Sequence, residues 1–286
     1  MKSRPIVTVV VPTKNAERTL ARCLASVRAQ TYPYVELIVV DNSSTDATME
    51  IAEEYADQAL TWGPERSAQR NHGWQRGAGE CIVFIDADMV LSTEIVAEAV
   101  DAFHADRGLG ALVIPELAFG EGYLARCRAL EKRIYLGDSQ VEAARIFPRR
   151  VLEQVGGYNE SLNAFEDWEL PDRIRDAGFR VGRIEAVVMH DEGRIGLRRT
   201  FAKKRYYGRW LPTYRMVSGE RGRRFTRPGL LRRPREVLRD PLQFAGLVML
   251  KTVEGSGIVL GACEGGKAPR PGRSEGVHRR MSAEGK

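Results

Sequence analysis

The chain has 286 residues, of which 43% are hydrophobic, and a formal net charge of +6. This length and composition favour one large or two small folded domains and exclude a wholly disordered chain. The four cysteines form no CxxC pair, which argues against a disulfide framework or a cysteine-ligated zinc site. No leader pattern opens the chain, and no uncharged apolar stretch approaches about 20 residues. We therefore expect a cytoplasmic protein with no membrane span and with reduced thiols.

The positive charge belongs to the C-terminal part of the chain. Residues 201–286 carry 20 Lys and Arg against 7 Asp and Glu, a balance of +13, whereas residues 1–200 carry 24 against 31, a balance of −7. Composition therefore predicts a boundary near residue 200 and an anionic partner for the basic part. We predict a folded domain over 1–200, a basic helical extension over 201–264 and a disordered tail over 265–286.

In chain order, strand patterns alternate with helical patterns. Leu20, Cys23, Leu24 and Val27 follow the spacing of an amphipathic helix over 16–30. Further helices are predicted around 46–55, 64–77, 92–106, 149–155 and 166–178, with Asp46 or Thr45 and Ser92 as N-terminal caps. The predicted strands are 6–11, 35–40, 59–62, 81–85, 111–114, 142–147 and 181–189. This alternation predicts an α/β fold with a Rossmann-like, mostly parallel mixed sheet flanked by helices.

Polar loops follow three of the predicted strands, at residues 12–15, 41–46 and 86–88. A doubly wound sheet gathers such loops along one edge, where ligands bind. The chain has no GxGxxG after its first strand and no GxxxxGK[ST] sequence, so the dinucleotide and P-loop interpretations lose their best support.

Three aspartates at this edge, and two arginines on a predicted helix, are candidate ligand-binding residues. Asp86 and Asp88, separated by Ala87, either share a divalent cation such as Mg2+ or Mn2+ with a phosphate ligand or cap the next helix. Asp41 is either an acceptor for a base N–H or a ribose hydroxyl, or a turn residue that bonds its own backbone. Arg66 and Arg70 share one helical face and either neutralise a diphosphate or form a solvated surface.

The second half of the chain contains further candidates. Glu166 and Asp167 open a helix, where they are either favoured by its dipole or kept ionised as a general base requires. Trp168 either stacks on an acceptor or belongs to the core. His190 is predicted to follow a strand in an acidic loop, where it is either structural or a third metal ligand.

Taken together, these motifs resemble the family 2 glycosyltransferases of the GT-A fold. The resemblance rests on residues 8–15 (TVVVPTKN), 38–46 (IVVDNSSTD) and 84–88 (FIDAD), in this order and at this spacing. It continues at residues 156–160 (GGYNE), residues 166–170 (EDWEL) and His190, and covers roughly residues 5–195. The resemblance implies a nucleotide-sugar donor, a divalent metal and an inverting transfer to an acceptor hydroxyl, with a UDP-sugar as the expected donor.

The resemblance also implies roles for individual positions. The nucleotide-sugar pocket is expected to contain Pro12, Thr13, Asn15, Asp41 and Asp86, with Arg66 and Arg70 as phosphate candidates. Asp88 is the expected principal metal ligand, assisted by Asp86 and His190. Asp167 is the expected general base with Glu166 beside it, and Trp168 is the expected acceptor contact.

The extension after residue 200 mixes cations with aromatic residues and ends in an apolar patch at 242–250. It favours contact with an anionic membrane surface on the inner face of the plasma membrane, with packing on the catalytic domain as the alternative and no nucleic acid expected. Processive members of the family carry Gln-x-x-Arg-Trp, but Tyr206 replaces the glutamine before Arg209 and Trp210. We therefore expect a single transfer per encounter, to a glycan or a lipid-linked sugar.

Two other function classes stay open. A nucleotidyltransferase uses a similar sheet and a metal-bound nucleotide, but it usually shows a glycine-rich loop after the first strand, and residues 12–15 contain no glycine. A catalytically silent homologue would bind a nucleotide or a membrane without reaction. The joint presence of Asp86, Asp88, Asp167 and His190 argues against it.

Overall fold

The structure, a computed structural model, describes residues 4–138, 141–219, 235 and 239–265. Its strands are β1 Val7–Thr13, β2 Val35–Asp41, β3 Gln58–Thr61, β4 Cys81–Phe84, β5 Met89–Leu91, β6 Leu109–Val113, β7 Glu116–Glu121, β8 Ala144–Pro148, β9 Arg180–Arg183 and β10 Val188–Arg194. Its helices are α1 Leu20–Arg28, α2 Thr48–Tyr55, α3 Arg66–Arg76, α4 Ile95–Ala105, α5 Gly122–Tyr135, α6 Arg149–Val155, α7 Glu166–Asp176, α8 Leu197–Gly208, α9 Leu211–Ser218 and α10 Pro241–Gly265. The predicted α/β class is confirmed.

The main sheet has seven strands in the order β3-β2-β1-β4-β8-β6-β9. Strands β1, β2, β3 and β4 pair in parallel, and β8 runs antiparallel to both of its neighbours. The sheet is therefore mixed and mostly parallel. Because β1, β2 and β4 are parallel neighbours, the polar loops after them meet at one edge.

A second sheet of three strands has the order β5-β10-β7. The predicted single strand over 181–189 is wrong, because the chain leaves the main sheet after β9 and joins the second sheet as β10. His190 consequently lies inside β10, between β5 and β7, rather than in a loop after a strand. Sequence periodicity also assigned no element to β5, β7 or α5.

The core lies on both faces of the main sheet. Leu20, Cys23, Leu24 and Val27 are all fully buried, which confirms the predicted apolar face of α1.

The Asp46 carboxylate accepts a hydrogen bond from the Thr48 N–H at the start of α2. The predicted cap at Ser92 is wrong, because its hydroxyl accepts a hydrogen bond from the Val187 N–H instead.

The C-terminal extension is helical in its described part. The helix α10 packs against α8, which belongs mostly to the extension itself, and against α5 of the preceding α/β domain. The apolar patch expected at 242–250 is part of a single helix of 25 residues. Among the described helices, α10 has the length and hydropathy of a membrane span, with a mean hydropathy of 1.4 over 18 residues. The tail predicted to be disordered lies almost wholly outside the described residues, as does most of the basic run 221–239.

Candidate active site

The loops after β1 and β2 bind each other. The Thr45 N–H donates a hydrogen bond to Asn15 Oδ1 over 2.9 Å, and the Asn15 N–H donates one to Ser44 Oγ over 2.7 Å. Asn15 has a φ of 48°, a conformation that asparagine tolerates better than most residues. Pro12 and Thr13 are buried at the end of β1. The predicted nucleotide-binding positions therefore form one rigid edge.

Asp41 is buried at this edge and its carboxylate is well bonded. Thr13 Oγ1 donates to Asp41 Oδ1 over 2.9 Å, and the Ser44 N–H donates to Asp41 Oδ2 over 2.7 Å. The Ser44 hydroxyl donates to the same carboxylate. Asp41 thus has the turn role that the sequence left open, while its contact to a base stays a prediction.

Arg70 lies at the centre of the site and is fully buried. Its Nη2 atom is 2.8 Å from Asp86 Oδ1, and its Nη1 atom is 2.8 Å from Asp167 Oδ1 and 3.5 Å from Glu166 Oε1. Its guanidinium also lies over the Tyr158 ring at 5.0 Å. The predicted phosphate candidate therefore ties together three carboxylates from two distant parts of the chain.

Arg66, one turn earlier on α3, pairs with Glu166 at 3.2 Å and lies over the Tyr207 ring at 5.8 Å. Burial alone would lower the pKa of Arg66, but the Glu166 charge outweighs it and raises the pKa. Arg66 is partly exposed, so it can still meet a ligand phosphate.

The Asp86 carboxylate forms ion pairs with two arginines. Besides Arg70, Arg145 on β8 approaches Asp86 Oδ2 at 3.2 Å. Burial would raise the Asp86 pKa, but the charges of Arg145 and Arg70 hold it well below its usual range. Sequence reasoning missed Arg145, whose signal is one cation inside the short apolar strand β8.

Asp88 and His190 form the pair best suited to a cation. His190 Nε2 lies 3.2 Å from Asp88 Oδ2, and His190 Nδ1 lies 2.7 Å from Glu116 Oε1. Burial lowers the His190 pKa, but hydrogen bonds to Asp88 and Glu116 outweigh it and raise the pKa to about 10. A carboxylate on the second ring nitrogen is the usual support of a metal-binding histidine.

These two side chains offer one oxygen and one nitrogen donor of the kinds that divalent cations bind. In the described part of the chain, no group of three or more His, Cys, Asp or Glu side chains is arranged to hold a metal by itself. The predicted participation of Asp86 as a metal ligand is not shown, because its carboxylate faces the two arginines. Glu116 is the supporting residue that sequence reasoning missed.

Glu166 and Asp167 differ in access to solvent. The Glu166 side chain is 3% exposed and the Asp167 side chain is 27% exposed. Burial and the Asp167 charge raise the Glu166 pKa. Only Asp167 of this pair can reach an incoming acceptor, which favours it over Glu166 as the candidate base.

Trp168, the next residue, is half-buried in an aromatic cluster. Its ring centroid lies 5.7 Å from that of Phe165 and 6.4 Å from that of Tyr214. Leu162 and Leu211 complete the cluster. The packing role is therefore present, and an acceptor contact stays a proposal.

Residues 8–175 match the model of the family described as "Glycosyl transferase family 2". The pre-mycofactocin glycosyltransferase of Mycobacterium tuberculosis is 31% identical over 224 residues, which cover 71% of this chain and 46% of that protein. The poly(ribitol-phosphate) beta-N-acetylglucosaminyltransferase TarS of Staphylococcus aureus is 29% identical over 133 residues, covering 40% and 23%. This chain thus spans less than half the length of these curated relatives.

Two solved structures share the fold at low identity. The mannosyltransferase PcManGT of Pyrobaculum calidifontis, in complex with GDP-Man and Mn2+, aligns with a TM-score of 0.61 and 22% identity over 92% of this chain and 88% of that one. Staphylococcus aureus TarS 1–349, in complex with UDP-GlcNAc, aligns with a TM-score of 0.53 and 18% identity over 87% and 81%.

The chain therefore has the GT-A fold of these two solved glycosyltransferase structures. The family match covers more than half of the sequence, so the chain belongs to glycosyl transferase family 2. This membership removes the nucleotidyltransferase alternative.

Proposed function

We propose that this chain transfers a sugar, with inversion, from a UDP-sugar to an acceptor hydroxyl. The observation that carries the proposal is an unbroken series of contacts from the candidate base to the candidate metal pair. It runs through Asp167, Arg70, Asp86, Arg145, Glu116, His190 and Asp88. Such a series supports one site that combines three functions of a sugar transfer: donor binding, charge stabilisation and proton removal.

In this reaction Asp167 takes the proton of the acceptor hydroxyl. The acceptor oxygen forms a bond to C1 of the sugar while the bond from C1 to the diphosphate oxygen breaks on the opposite face. The diphosphate leaves with the bonding electron pair, and the configuration at C1 is inverted. The start of α7 and the buried Arg70 orient the Asp167 carboxylate for this step.

Asp88 and His190 would hold Mn2+ or Mg2+, which offsets the charge that develops on the leaving diphosphate. The soft-to-borderline imidazole ligand suits Mn2+ at least as well as Mg2+. Glu116 orients His190 by accepting at its Nδ1 atom. Arg66, partly exposed beside the carboxylates, is positioned to assist with the phosphate charge.

The donor nucleoside would lie on the edge formed by Pro12, Thr13, Asn15 and Asp41. A carboxylate such as Asp41 accepts a hydrogen bond from a ring N–H of the base, a donor that both uracil and guanine possess. We propose a UDP-sugar, with a GDP-sugar as the alternative to be separated by experiment.

For the acceptor, we propose a glycan or a lipid-linked sugar and one transfer per encounter. Tyr206, which stands where processive members carry glutamine, donates to Glu65 Oε1 over 3.0 Å. Trp168 would present its ring to the acceptor beside Asp167. Reaction at the cytoplasmic side of the plasma membrane fits such an acceptor.

A donor screen tests the reaction class. The purified protein is incubated with Mn2+ or Mg2+ and a panel of UDP-, GDP- and dTDP-sugars, and release of nucleoside diphosphate is measured. We expect metal-dependent release from one donor, which Asp88→Ala abolishes and Asp101→Ala, an exposed aspartate on α4, does not. If no donor is hydrolysed and none raises the melting temperature, the proposal fails.

A further inference from the structure

One side of α10 is exposed along the whole helix and carries no charge. Leu242, Val248, Met249, Val259 and Leu260 are between 42% and 75% exposed, and the exposed residues between them are small and uncharged. The exposed positions 242, 245, 249, 252, 256, 259 and 263 recur at alternating intervals of three and four residues, which places them on one side of the helix. We call this side the uncharged stripe; with 25 residues at about 1.5 Å each, it runs for roughly 35 Å.

The charges of α10 point the opposite way, towards the protein. Glu254 is buried against Arg128 of α5, and Lys251 pairs with Glu131 of the same helix. Glu264, near the end of α10, pairs with Arg205 of α8. A surface helix in water normally shows the reverse arrangement, with its charges outside and its apolar side on the core. This inverted arrangement indicates that the stripe contacts an apolar partner and is not exposed to water alone.

Glycines hold the inner side of α10 against α8. A Cβ atom at Gly257 would lie 2.8 Å from the Phe201 carbonyl oxygen, and one at Gly261 would lie 2.0 Å from that of Arg205. These contacts attach the second half of α10 to α8, and Lys251 and Glu254 attach its middle to α5 of the catalytic domain. With these contacts intact, α10 cannot cross a bilayer, because the domain would have to enter with it.

We propose that the uncharged stripe docks α10 in the plane of an anionic membrane surface. A helix that lies in the interface inserts one apolar side by about 5–10 Å and relies on nearby cations to attract anionic lipid. The sequence supplies these cations, because residues 221–239, directly before α10, contain eight arginines and one acidic residue. Arginine close to a membrane surface is attracted to anionic lipid head groups.

A second copy of this chain is a less suitable occupant. In a two-fold dimer through the stripe, each copy would meet an identical surface, which offers an apolar side but no anionic groups for the arginines of residues 221–239. An anionic bilayer offers an apolar interior and negative head groups together, which matches both features.

Docking of this kind also bears on the acceptor, and here the inference rests on the proposed function. Ile258 and Ala262 on the inner side of α10 pack against the aromatic cluster that contains Trp168. Trp168 is the neighbour of Asp167, the candidate base. Membrane docking through α10 therefore brings the base side of the site close to the lipid surface, where a lipid-linked acceptor would present its hydroxyl.

Vesicle binding tests the docking directly. The full-length protein is sedimented with vesicles of phosphatidylcholine and phosphatidylglycerol, and with vesicles of phosphatidylcholine alone. The test variant combines Val248→Asp with Val259→Asp. The matched control is Ile6→Asp, a 42% exposed apolar residue just before β1. Cys263, exposed on the stripe while the other three cysteines are buried, accepts an environment-sensitive fluorophore that reports insertion.

We expect binding to anionic vesicles, weakened by salt, with a blue shift of the Cys263 probe. The double variant should lose at least about tenfold in partitioning, whereas Ile6→Asp should bind as the parent does. No binding, or equal binding by the double variant, overturns the proposal, and so does a dimer in solution that the double variant dissociates. Donor hydrolysis without vesicles should be equal in parent and double variant, so a failure of docking is distinct from a failure of the proposed reaction.

Discussion

Arg70 Nη1 lies 2.8 Å from Asp167 Oδ1, so a buried arginine on α3 holds the candidate base on α7 across 97 residues of sequence. The other Nη atom of Arg70 holds Asp86, two residues before the candidate metal ligand Asp88. One guanidinium therefore fixes the distance between the part of the site that would bind the donor and the part that would remove the acceptor proton. Its planar fork suits this bridging better than an ammonium group would.

Removing Arg70 should destabilise the fold strongly. Arg70→Met keeps an unbranched apolar side chain but leaves Asp86, Glu166 and Asp167 without their shared cation. We expect the free energy of unfolding to fall by about 3–5 kcal/mol, measured by urea denaturation at neutral pH. Arg175→Met, which breaks the exposed pair with Asp172 on α7, should cost less than about 1 kcal/mol. Equal effects of the two variants would refute this account of Arg70.

Substitutions of Asp167 and of Glu166 should lower kcat to different extents. Asp167→Asn should lower kcat by about 10²- to 10⁴-fold with little change in the KM for the donor, because it removes the proton acceptor and leaves the proposed donor-binding edge unchanged. Glu166→Gln should lower kcat less than about tenfold, because its buried carboxylate cannot reach the acceptor. Steady-state rates with a saturating acceptor decide between them. The roles are reversed if the glutamine variant is the less active one.

Glu116 should support metal binding without contacting the metal. Glu116→Gln removes the charge at His190 Nδ1 and should weaken Mn2+ binding by about 10- to 100-fold. Titration calorimetry with Mn2+ in the presence of the nucleoside diphosphate measures this change. Glu121→Gln, an exposed residue at the end of the same strand β7, serves as the control. An unchanged Mn2+ affinity in Glu116→Gln would show that the contact to His190 has no such role.

Glu254 should make the attachment of α10 depend on pH. Burial would raise the Glu254 pKa, but Lys204, Arg128 and Lys251 lower it from 4.5 to about 2. Because the folded-state pKa is depressed, the stabilisation is complete above pH 4.5 and is lost as the pH falls towards 2. We expect a loss of about 2–3 kcal/mol over this range.

Urea unfolding between neutral and acidic pH measures this loss, and hydrogen exchange locates it in 241–265. Glu254→Gln should be less stable than the parent at neutral pH, and the difference should shrink on acidification. Glu153→Gln, an exposed residue of α6, should leave the pH dependence unchanged. A Glu254→Gln profile parallel to that of the parent would contradict the assignment.

Two glycines of α10 should respond to alanine with opposite signs. A Cβ atom at Gly261 would meet the backbone of α8, so Gly261→Ala should cost about 1–3 kcal/mol. Gly255 has nothing within 4 Å of such an atom, so Gly255→Ala should stabilise the helix by about 0.5–1 kcal/mol. Thermal or urea unfolding of both variants tests the packing of α10. Stabilisation by both changes would mean that α10 and α8 are not in close contact.

Local pattern was sufficient for the elements that build the edge of the sheet. The burial of Leu20, Cys23, Leu24 and Val27 follows from the helical period alone, and the helix α6 has the predicted bounds 149–155. The alternation of strands and helices placed the loops with Asp41, Asp86 and Asp88 on one side of a parallel sheet. These inferences succeed because each depends on neighbours within a few residues or on the regular geometry of βαβ units.

Tertiary structure decided where the charges act. Arg145 and Glu116 are identified as site residues only by their contacts with Asp86 and His190 in the structure. His190 itself lies in a strand because the chain changes sheets after β9. The predicted apolar patch at 242–250 continues into a helix of 25 residues, in which partners on α5 neutralise Lys251 and Glu254. In the sequence, a charged residue within an apolar segment indicates that the buried segment ends there. Only the structure shows whether a distant residue of opposite charge pairs with it and allows its burial.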